Sequence, residues 1–375
     1  MEAVQQKSDL ELKQELIELV RSKEAVLIVG AGSSKRLGYP DWTELIQKIE
    51  KLTGECNAAF KADADLRDYK PLDYVEKMKT QIFSHEEGEK KYYGLFDRSF
   101  EPKQYAPNGL HFHKTLVSLP FRGLLTTNYD VVLEDALQGI GNVSAHKDSF
   151  IIHKNTAGQV HRFLMAITNE ETRGVAHLHG KYDDAEKVIL SSKDYEKAYA
   201  SPIIQETSNY NFFKRFCYRI LRKEENQAMQ SSSWTLHRKL LWAVLATRRV
   251  VFVGFSMKDP YFLKMLESVS NDLWRWDRPI HFAIMSISSN SSESLQARRK
   301  AARFKKDYGI ETLFYTDIDG NHSGLADIVD EIAKELNITV PLDKIHPDSP
   351  NEVGYGLNKV KQMSQHMSEK ISNGN

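Results

Sequence analysis

Short, doubly apolar segments alternate with longer amphipathic ones along this chain. AVLIV (25–29) and RVVFVGFS (249–256) are apolar at consecutive positions, which is typical of parallel strands covered on both faces. Similar segments are FRGLLTTNYD (121–130), GVAHLHG (174–180), PIHFAIM (279–285) and ETLFYTD (311–317). Strands that alternate with helices predict an α/β fold, here a Rossmann-like and mainly parallel sheet.

Apolar residues at helical spacing mark the segments between these strands. Residues 9–22 predict an amphipathic helix whose apolar side carries Leu10, Leu12, Leu16, Ile17 and Val20. A second helix is predicted to begin near Asp41, and a closing helix covers 325–336.

Two longer segments and a polar C-terminal stretch complete the predicted organisation. Residues 51–110 and 193–247 are charged, aromatic and helical in character, so we predict two helical insertions. We therefore predict one domain over 1–340, followed by a C-terminal tail or arm over 341–375, where the sequence becomes polar and rich in Pro, Gly and Asn.

Composition limits the kinds of partner and the cellular compartment that are expected for this chain. Lysine plus arginine and aspartate plus glutamate both number 51, so the formal net charge is zero and the chain is not a general polyanion binder. The two cysteines are too few for a four-thiolate zinc site or a disulfide framework. The sequence has no signal-like N-terminus and no apolar run of membrane-spanning length, so we expect a cytoplasmic protein with no membrane segment.

The GAGSS segment after the first strand is the first candidate for a ligand site. In α/β sheets, ligands bind beyond the carboxyl ends of the strands. Gly30 and Gly32 permit a tight turn and close backbone approach, as a phosphate-binding strand-to-helix turn requires. Lys35 stands where the usual dinucleotide fingerprint has its third glycine. A glycine-rich turn without a ligand is the alternative interpretation of this motif.

Two further strand ends carry polar groups suited to a ligand. The amide of Asn128 in TTNYD offers both a donor and an acceptor, and Asp130 is placed to hold Asn128 or the loop. An Asx-turn that caps the following helix is the alternative. In VGFS, Gly254 allows close approach and Ser256 can bond a ribose or phosphate oxygen, but a strand end with an N-cap serine explains the same residues.

The HLHG segment contributes His177 and His179, which share one face if both lie on a strand. They are interpretable as metal ligands, as a general base with a neighbour, or as structural histidines of a half-buried strand. The HFH segment at 111–113 is a source of further metal ligands, but no spacing requires that role. A metal-dependent hydrolase or nuclease is therefore one alternative function.

Taken in this order, the four motifs resemble those of the sirtuin family. GAGSS with the GYPDW turn, TTNYD, HLHG and VGFS match a Gly-Ala-Gly-x-Ser loop with a Pro-Asp turn, a Thr-x-Asn-x-Asp strand end, a His-Gly strand end and a Gly-x-Ser strand end. The resemblance extends over roughly residues 25–290. It implies a Rossmann-like domain with NAD along the edge of its sheet.

The resemblance assigns a role to each matching position. It implies that Asn128 and His179 are catalytic, with His179 as a base near its working pKa and His177 as a less critical strand residue. The cofactor-binding residues that it implies are Gly30, Ala31, Gly32 and Ser33 at the diphosphate, Asp41 in the Pro-Asp turn, Asp130 at the nicotinamide ribose, and Gly254 and Ser256 on the adenosine side.

This chain departs from the protein deacylases of that family, which carry a zinc module on four cysteines. Only Cys56 and Cys217 are present, so no zinc is expected, and a long helical insertion lies between the third and fourth motifs. The sequence is instead similar to the sirtuin-like NAD-hydrolysing subunits of bacterial antiviral systems. The resemblance therefore implies an NAD⁺ glycohydrolase that depletes NAD during phage infection, with NAD as its substrate.

The same resemblance implies control by assembly, since constant NAD cleavage is toxic. We expect a homo-oligomer that acts with a HerA-like ATPase, because only a short tail follows the sheet domain. Nucleic acid would be contacted only through that partner. The alternatives are a module that binds NAD or ADP-ribose without turnover, the metal-dependent nuclease, and a protein deacylase.

Overall fold

The computed structural model describes residues 7–169, 174–199, 234–257, 259–273, 280–288, 291–317, 320, 322–340 and 342. Most of the second predicted insertion and, apart from Leu342, the whole predicted tail lie outside these ranges. The domain boundary at 340 therefore stays a prediction. None of the helices in the described ranges has both the length and the apolar composition needed to cross a bilayer.

The strands of the described ranges form one seven-stranded sheet in the order β3-β4-β2-β1-β5-β6-β7. Every neighbouring pair is parallel, which confirms the predicted α/β class. The strands are β1 Ala25–Val29, β2 Leu124–Thr126, β3 Phe150–Ile151, β4 Val175–His177, β5 Arg249–Val253, β6 His281–Ile287 and β7 Ile310–Thr316.

Helices precede, connect and follow these strands. In chain order, the α-helices of the described ranges are α1 Asp9–Arg21, α2 Trp42–Cys56, α3 Ala64–Tyr69, α4 Pro71–Phe83, α5 Gly88–Phe100, α6 His111–Ser118, α7 Val132–Gly139, α8 Ala145–Asp148, α9 Ala157–Asn169, α10 Ser192–Tyr199, α11 Leu236–Thr247, α12 Pro260–Asp272, α13 Ser291–Tyr308 and α14 Ser323–Glu335. The first predicted insertion is helical throughout most of its length, as expected, and the described parts of the second are also helical.

The first helix forms as predicted, except that one residue predicted on its apolar face is exposed. Ser8 caps α1 by accepting a hydrogen bond from the Glu11 N–H, and the Glu11 carboxylate accepts one from the Ser8 N–H. Leu10 is 64% exposed, so its assignment to the apolar face is wrong. It lies two residues from the buried Leu12, about 200° around the helix, and therefore points to the opposite side.

The strands at the candidate site are shorter than predicted. The segments predicted at 121–130 and 174–180 are extended only over β2 and β4, since the polar residues beyond them leave the sheet. Strand β3 and helix α9 were not predicted. A strand of two residues has too little alternation to identify it.

Three clusters of buried side chains hold the fold together. One face of the sheet packs on α9, α11 and α12, and the opposite face packs on α1, α6, α7 and α14. A third cluster joins α2, α4 and α5 of the first insertion. This third cluster includes Tyr129 of the TTNYD segment, so the insertion packs directly against a candidate site loop.

Candidate active site

The GAGSS turn packs backbone to backbone against the end of β5. The N–H of Gly30 donates to the Val253 carbonyl at 2.9 Å, and that of Gly32 donates to the Gly254 carbonyl at 3.0 Å. A Cβ on Gly30 would lie 2.6 Å from the Gly254 oxygen, and one on Gly254 would lie 2.4 Å from the Ser33 nitrogen. Gly254 also has a φ of +63°, which favours glycine. These glycines are therefore required by contact between two turns of the protein itself.

The two serines of this turn face different partners. The Ser33 hydroxyl donates to the Gly30 carbonyl at 2.8 Å and closes the turn on itself. The Ser34 oxygen accepts a hydrogen bond from Asn128 Nδ2 at 3.1 Å, and its hydroxyl bonds to the Asp130 carboxylate. Ser34 is 2% exposed and was not among the predicted site residues. It links the first motif to the second.

Asn128 is buried and held by its neighbours through all but one of its polar atoms. Its N–H donates to the Thr126 hydroxyl at 3.0 Å, and its carbonyl accepts a hydrogen bond from His177 Nδ1 at 3.2 Å. Since Nδ2 is engaged by Ser34, the amide has one orientation. The remaining atom, Oδ1, is buried without a partner and is available to accept a hydrogen bond.

Tyr129 and Asp130 fix the rest of the TTNYD segment. The Tyr129 ring makes edge contacts with Phe96 and Phe100, at 5.5 and 5.2 Å between centroids, and its hydroxyl donates to the Ile189 carbonyl at 2.9 Å. Asp130 accepts a hydrogen bond from the Val132 N–H at 3.1 Å, so the Asx-turn interpretation holds for this residue. Burial raises the pKa of Asp130 to about 6.

His179 lies in an enclosed, largely aromatic environment and is 5% exposed. Its ring contacts the rings of Tyr195 and Tyr199 of α10, at 5.2 and 6.2 Å. Nδ1 lies 3.5 Å from the Tyr195 hydroxyl, and the buried Nε2 has no hydrogen-bond partner among the residues that the structure describes. Burial lowers the pKa of His179 to about 3, so the imidazole is neutral at pH 7. The expectation of a histidine near its working pKa is wrong for this enclosed state.

Asp259 is a second side chain at this histidine that the sequence did not indicate. One carboxylate oxygen accepts a hydrogen bond from the Tyr195 hydroxyl at 2.8 Å and lies 3.7 Å from His179 Nε2. The other oxygen caps α12 by accepting from the N–H groups of Tyr261 and Phe262. Burial raises the pKa of Asp259 above its ordinary value.

Only one of the two histidines of HLHG lies on a strand, so the condition under which they would share one face is not met. Strand β4 ends at His177, so the period-two alternation does not continue to His179. His177 Nε2 lies 2.7 Å from Glu134 Oε1 of α7, whereas His179 faces α10. His177 hydrogen-bonds to both Glu134 and the Asn128 backbone, and its importance relative to His179 stays a prediction.

The two predicted catalytic residues come from adjacent strand ends. Thr126 and His177 are register partners of the parallel strands β2 and β4, and Asn128 and His179 each lie two residues further on. Among the described residues, neither Asn128 Oδ1 nor His179 Nε2 has a hydrogen-bond partner, and both atoms are buried.

The other predicted cofactor-binding residues lie around this pair or further along the turn. Ala31 is half-buried and begins the 3₁₀ turn Ala31–Ser33. Asp41 caps α2, accepting from the Glu44 N–H at 2.9 Å and from Lys35 Nζ at 2.6 Å. Ser256 is exposed, and its carbonyl accepts from Lys300 Nζ at 3.5 Å. A cofactor-binding role for each of these residues stays a prediction.

The predicted sources of metal ligands lie apart from each other. His113 of the HFH segment is fully buried in α6, where burial lowers its pKa to about 3, and His111 lies 3.9 Å from Asp330. Across the described ranges, no group of three His, Cys, Asp or Glu side chains is arranged to hold a metal ion. The metal-dependent alternative therefore has no ligand set in that part of the chain.

Residues 122–313 match the family model described as "SIR2-like domain", and this region is just over half of the 375-residue chain. The chain belongs to the SIR2-like domain family. The matched region contains the TTNYD, HLHG and VGFS segments and begins after GAGSS. The sirtuin-like resemblance of these motifs is therefore confirmed at the level of the family.

Several curated proteins are similar to this chain at low identity. The "NAD(+) hydrolase ThsA" of Enterococcus faecium is 24% identical over 274 residues, which cover 72% of this chain and 44% of that protein. The protein of the same name from Bacillus cereus (strain MSX-D12) is 21% identical over 84% of this chain and 55% of its own length. "Defense-associated sirtuin 2" of Bacillus subtilis is 24% identical over 68% and 20%. The chain thus spans about half or less of the length of these relatives.

Proposed function

We propose that this protein is an NAD⁺ glycohydrolase, which cleaves NAD to nicotinamide and ADP-ribose. The observation that carries the proposal is the pair formed by Asn128 Oδ1 and His179 Nε2, two buried and unpartnered atoms at adjacent strand ends. The names of the ThsA relatives support the same activity. Antiphage defence by NAD depletion is the biological role that we propose, and the name of the Bacillus subtilis relative is consistent with it.

The chemistry requires the N-glycosidic bond to break before much bonding to water has formed. The bonding electron pair leaves with the pyridine nitrogen, so nicotinamide departs as a neutral molecule and positive charge develops on the ribose. In the proposed complex, Asn128 Oδ1 accepts a hydrogen bond from a ribose hydroxyl or from the attacking water. One of the two Nδ2 hydrogens is engaged by Ser34, and Oδ1 is the atom of the amide that we assign to the substrate.

His179 has the form that a proton acceptor needs. Its imidazole is neutral at pH 7, so Nε2 can take a proton from water or a ribose hydroxyl. The burial that keeps it neutral also makes it a weak base, because an enclosed imidazolium is costly. We propose that entry of substrate separates His179 from the Tyr195 side chain and raises its basicity. ADP-ribose, linear or cyclised, is then the second product.

The remaining predicted residues would shape and line the dinucleotide site. The N–H groups of Gly30 and Gly32 already donate to the end of β5, so we assign these glycines to holding the turn close to the sheet. Ala31 and Ser33 would line the diphosphate. Asp130 would act on the nicotinamide ribose indirectly, through its hydrogen bond with Ser34 and the bond between Ser34 and Asn128. We place Gly254 and Ser256 on the adenosine side, and Asp41 next to Lys35 at the turn.

We further propose that assembly controls the enclosed site. His179 is nearly inaccessible behind Tyr195 and Tyr199, so α10 must move before a dinucleotide reaches it. A homo-oligomer acting with a HerA-like partner ATPase in the cytoplasm is the arrangement implied by the family resemblance. Co-purification and gel filtration of the two proteins test it, and a freely active monomer would contradict it.

The direct test is release of nicotinamide from NAD by the full chain, alone and with its partner. Asn128→Ala and His179→Ala are expected to reduce kcat by about a hundredfold to ten-thousandfold. His146→Ala is the matched control, since His146 is an exposed histidine that contacts Asp135 at 2.9 Å on α7. Parental rates in both site variants would show that the site assignment is wrong.

A second candidate function is binding of NAD or ADP-ribose without turnover. The enclosure of His179 and its low pKa favour this alternative, since such an imidazole is a poor base. Calorimetry of NAD binding, followed by analysis of the ligand after long incubation, separates the two functions. Tight binding with intact NAD, with and without the partner, would favour the binding module.

A further inference from the structure

Register partners on neighbouring strands form rows that cross the sheet. The last such row before the candidate site contains two polar side chains among apolar ones. Its register partners across the described strands are Ile151, His177, Thr126, Val29, Val253, Ile284 and Leu313. Val29 and Val253 are fully buried, and nothing about this position in a parallel sheet requires a polar group. The two polar members occupy the neighbouring strands β2 and β4, which carry the two candidate catalytic residues.

Both polar side chains of this row hydrogen-bond to the backbone of Asn128. The Thr126 hydroxyl accepts from the Asn128 N–H at 3.0 Å and donates to the Val29 carbonyl at 3.0 Å. His177 Nδ1 donates to the Asn128 carbonyl at 3.2 Å, since a carbonyl only accepts. The peptide groups on both sides of the Asn128 Cα are thereby fixed to the sheet.

Glu134 orients the histidine in this arrangement. Its Oε1 lies 2.7 Å from His177 Nε2, and neither residue is exposed to solvent. Burial alone would raise the pKa of Glu134, but the charge and hydrogen bond of His177 outweigh it and hold this pKa below its ordinary value. An ionised Glu134 accepts a hydrogen bond from Nε2–H, and Nδ1–H is directed at the Asn128 carbonyl.

Stability alone does not account for a buried ion pair at this place. Removing two charges from water is costly, and apolar side chains of similar volume are often as stabilising as a buried pair. Resting on the function proposed above, we infer that His177 and Glu134 are a positioning pair that fixes the Asn128 backbone and so directs Oδ1 at the sugar of the substrate.

The experiment replaces the pair by apolar side chains of similar size, in His177→Leu combined with Glu134→Leu. The variant is expected to keep KM within about twofold while kcat falls roughly tenfold to a hundredfold, since small misplacements of a catalytic group have effects of this size. Glu134→Gln preserves the shape of the side chain, and it is the variant to test if the double variant does not fold. It is expected to give a smaller fall in kcat with the thermal midpoint retained.

The matched control is His281→Leu. His281 is equally buried but begins β6 at the opposite edge of the sheet, where its Nδ1 accepts from the Val250 N–H at 3.1 Å. This control is expected to lower the thermal midpoint without changing kcat per folded molecule. A purely structural role for the pair predicts the same pattern for the Leu/Leu variant, and parental kcat there would overturn the inference.

A crystal structure of the Leu/Leu variant provides a readout independent of activity. Displacement of the Asn128 backbone, or more than one orientation of its amide, is expected. An unmoved Asn128 would overturn the positioning role even if the full chain proves unable to cleave NAD. Absence of nicotinamide release from the parent protein, alone and with its partner, would instead contradict the proposed function.

Discussion

Asn128 and His179 stand at neighbouring strand ends but are held by different kinds of contact. Asn128 donates hydrogen bonds to Ser34 and Thr126 and accepts one from His177, so its orientation is set before any ligand arrives. His179 is surrounded by the rings of Tyr195 and Tyr199 and has no hydrogen bond shorter than 3.5 Å from its ring. One half of the candidate site, around Asn128, is therefore preorganised, and the other half, around His179, is closed.

The two halves also come from different parts of the chain. The groups that hold Asn128 lie at the ends of the central strands and in the turn between β1 and α2. The side chains around His179 lie on α10 and at the start of α12, outside the sheet. A movement of α10 would therefore change access to His179 while the geometry at Asn128 is kept.

Asn128→Asp is the substitution that is expected to disturb the hydrogen bonds of the preorganised half most. A carboxylate at 128 would face Ser34, which already bonds to the Asp130 carboxylate, so one donor would serve two buried acids. We expect the free energy of unfolding at pH 7 to fall by about 4 kcal/mol, as for an uncompensated buried charge. Chemical denaturation measures this change.

Asn155→Asp is the control for that substitution, because Asn155 is exposed. Its expected effect on the free energy of unfolding is below about 0.5 kcal/mol, as for surface substitutions in general. Similar stability of the two variants would mean that Ser34 and Asp130 do not constrain residue 128.

The pH dependence of stability separates the two halves, because their titrating groups shift in opposite directions. Burial lowers the pKa of His179 from 6.5 to about 3, so its contribution is full above pH 6.5 and is lost as the pH falls towards 3. Burial raises the pKa of Asp130 from 3.8 to about 6, so its contribution is full below pH 3.8 and is lost as the pH rises through 6.

Substitution of each group therefore changes the acid side of the stability curve in a different direction. Between pH 6 and 4, Asp130→Asn should make the loss of stability steeper, and His179→Leu should make it shallower. Each change is expected to be about 1.4 kcal/mol per pH unit at most, the free energy of one proton per unit. Thermal and urea unfolding across this range measure both slopes, and parallel curves for the two variants would refute the assignment.

The smallest expected effect distinguishes the two serines of GAGSS. Ser34→Ala removes the acceptor for Asn128 Nδ2 and the donor to Asp130, and should lower stability by about 2 kcal/mol and kcat by roughly tenfold. Ser33→Ala removes one bond to the Gly30 carbonyl, so its effect on kcat should be smaller. Steady-state NAD cleavage with both variants decides the order, and a larger kcat effect at Ser33 would reverse our assignment of the turn.

The location of Asn128 and His179 at strand ends was predictable from the sequence, but the groups that hold Asn128 and those that enclose His179 were not. Apolar strands ending in TTNYD and HLHG predicted that Asn128 and His179 would lie at strand ends on one edge of the sheet, whereas the pairing of β2 with β4 was not predicted. The choice between Ser33 and Ser34 depends on the phase of a 3₁₀ turn, which composition does not encode. Tyr195 and Asp259 reach His179 from distant segments, and no local pattern in the sequence indicates such contacts.

The packing of the Tyr129 ring has a consequence for engineering this domain. Tyr129 lies between Asn128 and Asp130 in the sequence. Its ring makes edge contacts with the rings of Phe96 and Phe100 from α5 of the first insertion. A smaller version of this domain therefore cannot be made by excising residues 51–110, because the deletion would remove both aromatic rings that contact Tyr129. The first insertion is part of the scaffold that supports the candidate site.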